Sequence, residues 1–324
     1  MVIKRLPFFT KNLYILKPLI TKITIMIKKI LALCLASQVV CAGPWMTGPL
    51  LAPAGKTIPK GHVNFEPYGF YSVYPQGFKN LEGVPIISIG VLDFLDLQTT
   101  VPFDYSWQDH THGGGVGDFS LAVGLQVLRQ QDNGWLPDFR FVLQEVFPTG
   151  KFENLDPRKG GTDQTGIGTY HTFFGFNFQR LTQFQNDHYL RTRLSLVGAT
   201  ATDVKVHGVN AFGGTPDTEG RVHPGNSYSA DLAFEYSLTQ NWVPVFEVLY
   251  ARSAGSNFVG NPGFTPGGTL ASIGGSGAEQ TSLAPALEYN FSPTLGIIGG
   301  VWFSVSGPSA GKFTTAAIAI NYFI

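Results

Sequence analysis

The sequence predicts an all-β protein: a transmembrane antiparallel up-and-down β-barrel of about twelve strands, behind a cleaved N-terminal signal peptide. Three observations predict it. Only 14% of the 324 residues are charged, against roughly 25% in a soluble domain. Apolar and polar residues alternate with period two in one segment after another, the mark of strands with one greasy face. Finally, the connections are short on one side and long on the other. Outer-membrane barrels with both termini in the periplasm have this pattern.

The first element is an address. No acid occurs before Glu66, while Lys4, Arg5, Lys11, Lys17, Lys22, Lys28 and Lys29 precede Ala42. Lys28 and Lys29 stand before the apolar stretch Ile30–Val40, and Val40-Cys41-Ala42 offers a small-residue cleavage site. Residues 1–42 therefore read as a secretory signal peptide, with 1–25 an over-long start or extended n-region ahead of Met26. A lipid on Cys41 is the alternative, though Val40 is bulky for it. Cleavage after Ala42 removes Cys34 and Cys41, the only two cysteines, and leaves a net charge of −7 on the mature chain. Residues 43–60 read as a periplasmic N-terminal segment, and 61–324 as the barrel.

Twelve strands follow, near 61–74, 84–91, 95–107, 117–129, 137–148, 167–180, 187–201, 226–238, 242–252, 279–290, 294–306 and 312–324. The alternation is clear within them. Leu97, Thr99, Val101, Phe103 and Tyr105 oppose Asp96, Gln98, Thr100, Asp104 and Ser106. Leu232, Phe234 and Tyr236 oppose Asp231, Ala233 and Glu235, and the last strand sets Ile318, Ile320 and Tyr322 against Ala317, Ala319 and Asn321. Tight turns fall at 92–94, 130–136, 181–186, 239–241 and 291–293. Long loops fall at 75–83, 108–116, 149–166, 202–225 and 253–278. Tyr105, Trp107, Phe178, Trp242, Tyr250, Tyr289, Phe291 and Tyr322 sit near strand ends, where interfacial girdles belong. The chain ends on a strand, which resembles the signal read by the barrel-insertion machinery.

The inward face is where selectivity resides. By parity it carries Glu66, Asp96, Asp104, Asp118, Arg140, His171, Arg191, Arg193, Asp231, Glu235, Glu247 and Glu288. These form either a charged constriction or a ladder of ion pairs that fills the lumen. Glu145 shares a face with Phe139, Phe141, Leu143 and Phe147; either it sits near the loop end, where a carboxylate against lipid costs less, or a bulge inverts it.

Other chemistries find little support. Equal numbers of acids and bases leave nothing to offset nucleic-acid phosphate. No G-x-S-x-G occurs, and His223 beside Ser227 is local order, not a catalytic triad. His110, His112, His207 and His223 read as solvated loop histidines, and no metal or cofactor is implied. The glycine runs 113–115 and 274–275 lack the strand–helix context of a phosphate loop.

Three motifs resemble one family. Gly115-Val-Gly-Asp118-Phe-Ser-Leu opens a strand, Phe147-Pro-Thr-Gly150-Lys ends the next, and Gly166-Ile-Gly168-Thr-Tyr170 opens a third. Their order and spacing are similar to those of the MetA-pathway phenol-degradation family of outer-membrane barrels, over roughly residues 84–324. The leader Gly48–Tyr68 is similar to uncharacterised members. Arg140, Gln144 and Glu145 depart from a strand that is aliphatic and glycine-rich in that family. The resemblance implies an outer-membrane channel or transporter, non-enzymatic, for small hydrophobic or aromatic solutes. A closed-lumen structural or surface-interaction barrel is the alternative, and a barrel lipid hydrolase a third reading. The expected partners are outer-membrane lipid, the insertion machinery and a small solute. The expected place is the outer membrane of a Gram-negative bacterium, as a monomer.

Overall fold

The computed structural model describes residues 45–131, 134–184, 188–307 and 311–324. The signal peptide lies outside the described residues, as does part of the turn at 181–186.

Seventeen strands are present among the described residues, and fourteen of them build one closed sheet. In chain order these are β1 (Val63–Val73), β2 (Lys79–Leu92), β3 (Leu95–Thr100), β4 (Phe103–Gln108), β5 (Thr111–Val116), β6 (Phe119–Leu128), β7 (Asp138–Phe147), β8 (His171–Gln183) and β9 (Tyr189–Ala201). Two strands, β10 (Val204–His207) and β11 (Glu219–His223), lie in the following loop. The ring continues through β12 (Ser227–Tyr236) and β13 (Trp242–Ser253). After β14 (Asn257–Asn261) in the next loop, it ends with β15 (Ala278–Ser292), β16 (Leu295–Ser306) and β17 (Thr314–Phe323).

Each ring strand pairs antiparallel with its neighbour, and β1 pairs with both β2 and β17, so the ring closes; among the described residues β5 pairs on one side only, with β4. That closure satisfies the backbone without water, which a lipid environment demands. β3 and β4 are one barrel strand broken at Val101-Pro102, since both pair with β2. β5 and β6 are likewise one strand broken at Gly117-Asp118. The two breaks lie side by side, where the Gly117 amide donates to the Pro102 carbonyl at 2.8 Å. The barrel therefore has twelve strands.

Two expected loops are mostly strand. Residues 79–83 extend β2, paired with both β1 and β4, so the loop there shrinks to 74–78. Residues 111–116 pair with β4 to make a hairpin turning at Asp109 and His110. Three consecutive glycines hide this strand, because they have no side chains to alternate, while backbone pairing needs none.

Side chains sort by strand parity. Ile87, Leu97, Leu121, Phe176, Leu196, Leu232, Phe246, Leu287, Val301 and Ile318 point outward and are exposed. The opposite parity carries the small and polar set, including Ser88, Asp96, Asn177, Ser195, Glu235, Asn290 and Thr315, all buried. An apolar exterior around a polar interior is the inverse of a water-soluble barrel, and only lipid stabilises it. No helix of the described residues is long and apolar enough to cross a membrane; the strands do so. Near the turn side, Trp242, Tyr289 and Phe291 contact edge to face, with centroids 4.6 and 4.9 Å apart. Leu232, between Leu194 and Val248 on that exterior, tests it. Leu232→Arg should cost about 2–4 kcal/mol near the midplane and reduce the heat-modifiable folded band on a gel. Wild-type folding yield would refute the facing.

Glu145 does face lipid. The β7–β8 register runs unbroken past it, so no bulge turns it inward. Its carboxylate accepts a 2.6 Å hydrogen bond from the Thr172 hydroxyl on the neighbouring strand.

On the long-loop side, β10, β11 and β14 form a separate three-stranded sheet with β11 in the middle. Buried Val204, Val206 and Val222 pack there against Phe152, Phe212, Phe258 and Ile273.

Candidate functional site: the barrel lumen and its strap

Residues 45–62 precede β1 and run across the inside of the wall near its short-turn end. The expectation for 43–60 was a periplasmic segment. From Trp45 onward it forms a strap held by inward side chains. Its sequence explains this. Leu50, Leu51, Ala52, Pro53 and Ala54 form an apolar stretch that gains by leaving water, and Leu50 is only 2% exposed. With prolines at 49, 53 and 59, the strap is extended and does not pair as a strand. Its amides need partners elsewhere.

The wall supplies them. The Glu247 carboxylate accepts from the amides of Leu50, Leu51 and Ala52 at 2.6, 3.1 and 2.8 Å. Glu288 accepts from the Thr47 amide and, at 2.8 Å, from its hydroxyl. Asp96 accepts from the Ile58 amide at 2.9 Å, and Gln126 from the Thr57 amide at 2.8 Å. Strap carbonyls are met in return. Arg191 donates to Met46, Arg193 to Ala52, Asn290 to Trp45 and Gln126 to Gly55, all between 2.8 and 3.2 Å. Gly90 is the closest approach. Any side chain there would run into the Pro59 carbonyl, so only glycine admits the strap at that point.

The acids and bases of the floor pair in three groups, one of them Lys56 of the strap with Asp138 on β7 at 3.3 Å. Arg140 on β7 reaches Asp96 on β3 at 2.5 Å, both almost fully buried. Gly124 lies between them on β6, and a side chain there would displace both. On the other side of the ring, Glu235 on β12 takes both Arg191 and Arg193 from β9. The Arg191 Nε–Oε1 distance is 2.8 Å and the Arg193 Nε–Oε1 distance 3.2 Å. Each of those guanidiniums thus bridges a wall carboxylate and a strap carbonyl.

The remaining acids make no ion pair with a basic side chain among the described residues. Glu247 and Glu288 are fully buried and held by the strap. Glu66 accepts from Asn321 at 2.8 Å. Asp231 is 5% exposed, and its Oδ1 has no partner among the described residues. The floor therefore carries more negative than positive side chains.

Three of the expected residues stand apart, toward the long-loop end. Asp104 accepts from Asn80 at 3.3 Å. Asp118 accepts from the amides of Gly150 and Ile167, at 2.8 and 3.0 Å, and so pins the loop between β7 and β8. His171 stacks on Phe173 with centroids 6.1 Å apart.

Sequence parity alone did not reveal the other half of the lumen wall. Here Val243, Val245, Ala284, Ile298, Ala317 and Ala319 bury against Leu50, with Tyr68, Phe70 and Trp302 packed beside them. Tyr68 and Phe70 stack at 5.7 Å, and the Trp302 indole donates to Ser282 at 2.9 Å. The lumen wall thus carries charged and amide side chains on β3, β6–β9 and β12, while on β13, β15–β17 and β1 apolar and aromatic side chains surround the acids Glu247, Glu288 and Glu66. At the long-loop end, small inward residues on β9, β12 and β13 (Ala199, Ser227, Ser229, Ala251 and Ser253) line a cavity of about 330 Å³.

Comparison with known proteins agrees with this architecture. Residues 49–321 match the model of a family described as "Putative MetA-pathway of phenol degradation". An outer membrane channel from Pseudomonas putida F1 shares the fold, with a TM-score of 0.61 and 14% identity over 85% of this chain and 100% of that one. The β domain of a Bordetella autotransporter aligns at a TM-score of 0.45 with 11% identity, over 81% and 99% of the two chains. The NanC porin gives 0.42 and 10%, over 80% and 98%. No curated protein matches the chain in sequence. An outward apolar belt, a closed twelve-stranded ring and a family match over most of its length place the chain in the MetA-pathway phenol-degradation family, as an outer-membrane β-barrel.

Proposed function

We propose that the barrel is a channel for small solutes, favouring apolar and aromatic ones, whose periplasmic mouth is filled by its own strap. The observation that carries this reading is the apolar, aromatic sector of the lumen wall. Tyr68, Phe70 and Trp302 lie on the inner face of this sector, beside the apolar cluster around Leu50. Ligand sites are mostly apolar with a few placed polar groups, and this sector has that composition. The fold shared with the P. putida channel supports passage through the lumen, and the family supports an aromatic solute.

One observation favours a second reading, a closed barrel with a structural or surface role. The strap amides at residues 50–52, 57 and 58 are all taken by wall side chains. That is how a permanent plug is held.

Planar-bilayer recording of the refolded mature chain, paired with vesicle uptake, separates the two. The channel reading expects a small conductance with cation preference, from the acid excess of the floor. It also expects a neutral aromatic such as phenol to enter vesicles faster than a sugar. A folded barrel that is electrically silent and passes neither solute would establish the closed reading.

A further inference from the structure

The outer face carries a second built feature, on the hairpins at the long-loop end of β1–β5. Strand register sets Val73, Lys79, Trp107 and His112 side by side in one outward row across β1, β2, β4 and β5. The row beneath it holds Tyr71, Leu81 and Tyr105. The rings form a continuous platform. Tyr71 stacks on Trp107 at 5.9 Å, Trp107 meets Tyr105 at 5.8 Å, and Tyr105 meets His112 at 6.1 Å. Leu81, Tyr105, Trp107, Asp109, His110, Thr111 and His112 line an open groove of about 480 Å³, and Lys79 stands beside Trp107 at its edge.

Its height on the barrel matters. Lys79 is ten residues along β2 from Ile89, an exposed residue at the short-turn end. Ten residues of tilted strand span about 25 Å, the height of the apolar band of such barrels. The row therefore sits at the headgroup level of the outer leaflet, continuous with the lipid-facing belt below. Lys79 makes no ion pair among the described residues, and His110 and His112 are exposed. A lone cation and two imidazoles, each able to donate an N–H in either protonation state, border an aromatic floor. Asp109 is the acid on the same rim.

We propose that this groove binds the phosphorylated glucosamine headgroup of lipid A, the glycolipid of the outer leaflet. Lys79 and His112 take a phosphate by charge-assisted hydrogen bonds, and the sugar ring lies on Trp107 and Tyr105. One cation and an imidazole flanking a flat aromatic floor match a sugar phosphate. An ordinary girdle needs only the rings.

The test titrates the full mature barrel in detergent with bis-phosphorylated lipid A, read by native mass spectrometry. Parallel titrations use dephosphorylated lipid A and phosphatidylglycerol. The wild type should bind one lipid A and bind the dephosphorylated form at least tenfold more weakly. The double variant Lys79→Gln/His112→Gln should lose at least tenfold for lipid A, while Trp107→Ala should weaken both glycolipids alike. Heat-modifiable gel mobility confirms that each variant is folded. Unchanged affinity in the folded double variant would overturn the proposal, as would phosphatidylglycerol binding as tightly as lipid A. Neither result bears on the lumen, whose conductance these outward residues leave untouched.

Discussion

A mature barrel lacking Trp45–Ile58 should conduct several-fold more current per channel than the full chain. The deletion removes the stretch that crosses the floor of the lumen, and it strips Glu247, Glu288, Asp96 and Gln126 of their backbone partners. Buried carboxylates without donors are costly, and here they can recover hydration only if water enters the floor. The same change exposes acids that no arginine neutralises, so the reversal potential in a salt gradient should shift further toward cation selectivity. Starting at Pro59 keeps β1 and its seam with β17 intact. Equal conductance for the two chains would mean that the strap does not obstruct the path.

Glu235→Ala should be the most destabilising single substitution in the wall, at about 3–5 kcal/mol. Glu235 is fully buried and serves both Arg191 and Arg193. Removing it strands two guanidiniums in the same pocket, and removing one partner of a buried ion pair costs more than the pair contributes. Urea unfolding of the refolded barrel, followed by tryptophan emission, should show a clearly lowered midpoint. A triple variant with Arg191, Arg193 and Glu235 all replaced by Met should recover much of the loss, because no charge is then left unpaired. A single variant as stable as wild type would show that water reaches the pocket and that the pair is not buried in membrane.

Local periodicity made the wall legible. Strand parity is a property of neighbours two residues apart, so segments such as Leu232–Tyr236 and Ile318–Tyr322 display their facing without any tertiary information. The strand count and the asymmetry of the loops followed from it. The strap was not legible, since its anchors are hundreds of positions away: Thr47 meets Glu288, and Leu50 meets Glu247. The available signal was an apolar run, Leu50–Ala54, in a segment assigned to water. The aromatic sector was hidden differently. Tyr68, Phe70 and Trp302 are inward on strands whose outward side is aromatic or aliphatic too, so hydrophobicity alone did not mark the side. At Glu145 the parity was right, and the missing piece was the Thr172 hydroxyl that makes a carboxylate tolerable there.

The small sheet of β10, β11 and β14 has a mechanical consequence. Its middle strand belongs to the loop after β9, and one of its edges to the loop after β13. Ladder hydrogen bonds therefore stitch two connections that are separate in the chain, and neither can swing aside by itself. The pair behaves as a single unit at the long-loop end, hinged on four strands. A protease cut in either loop would leave the fragment still fastened by the other, so clipping there should release nothing until the sheet itself is melted.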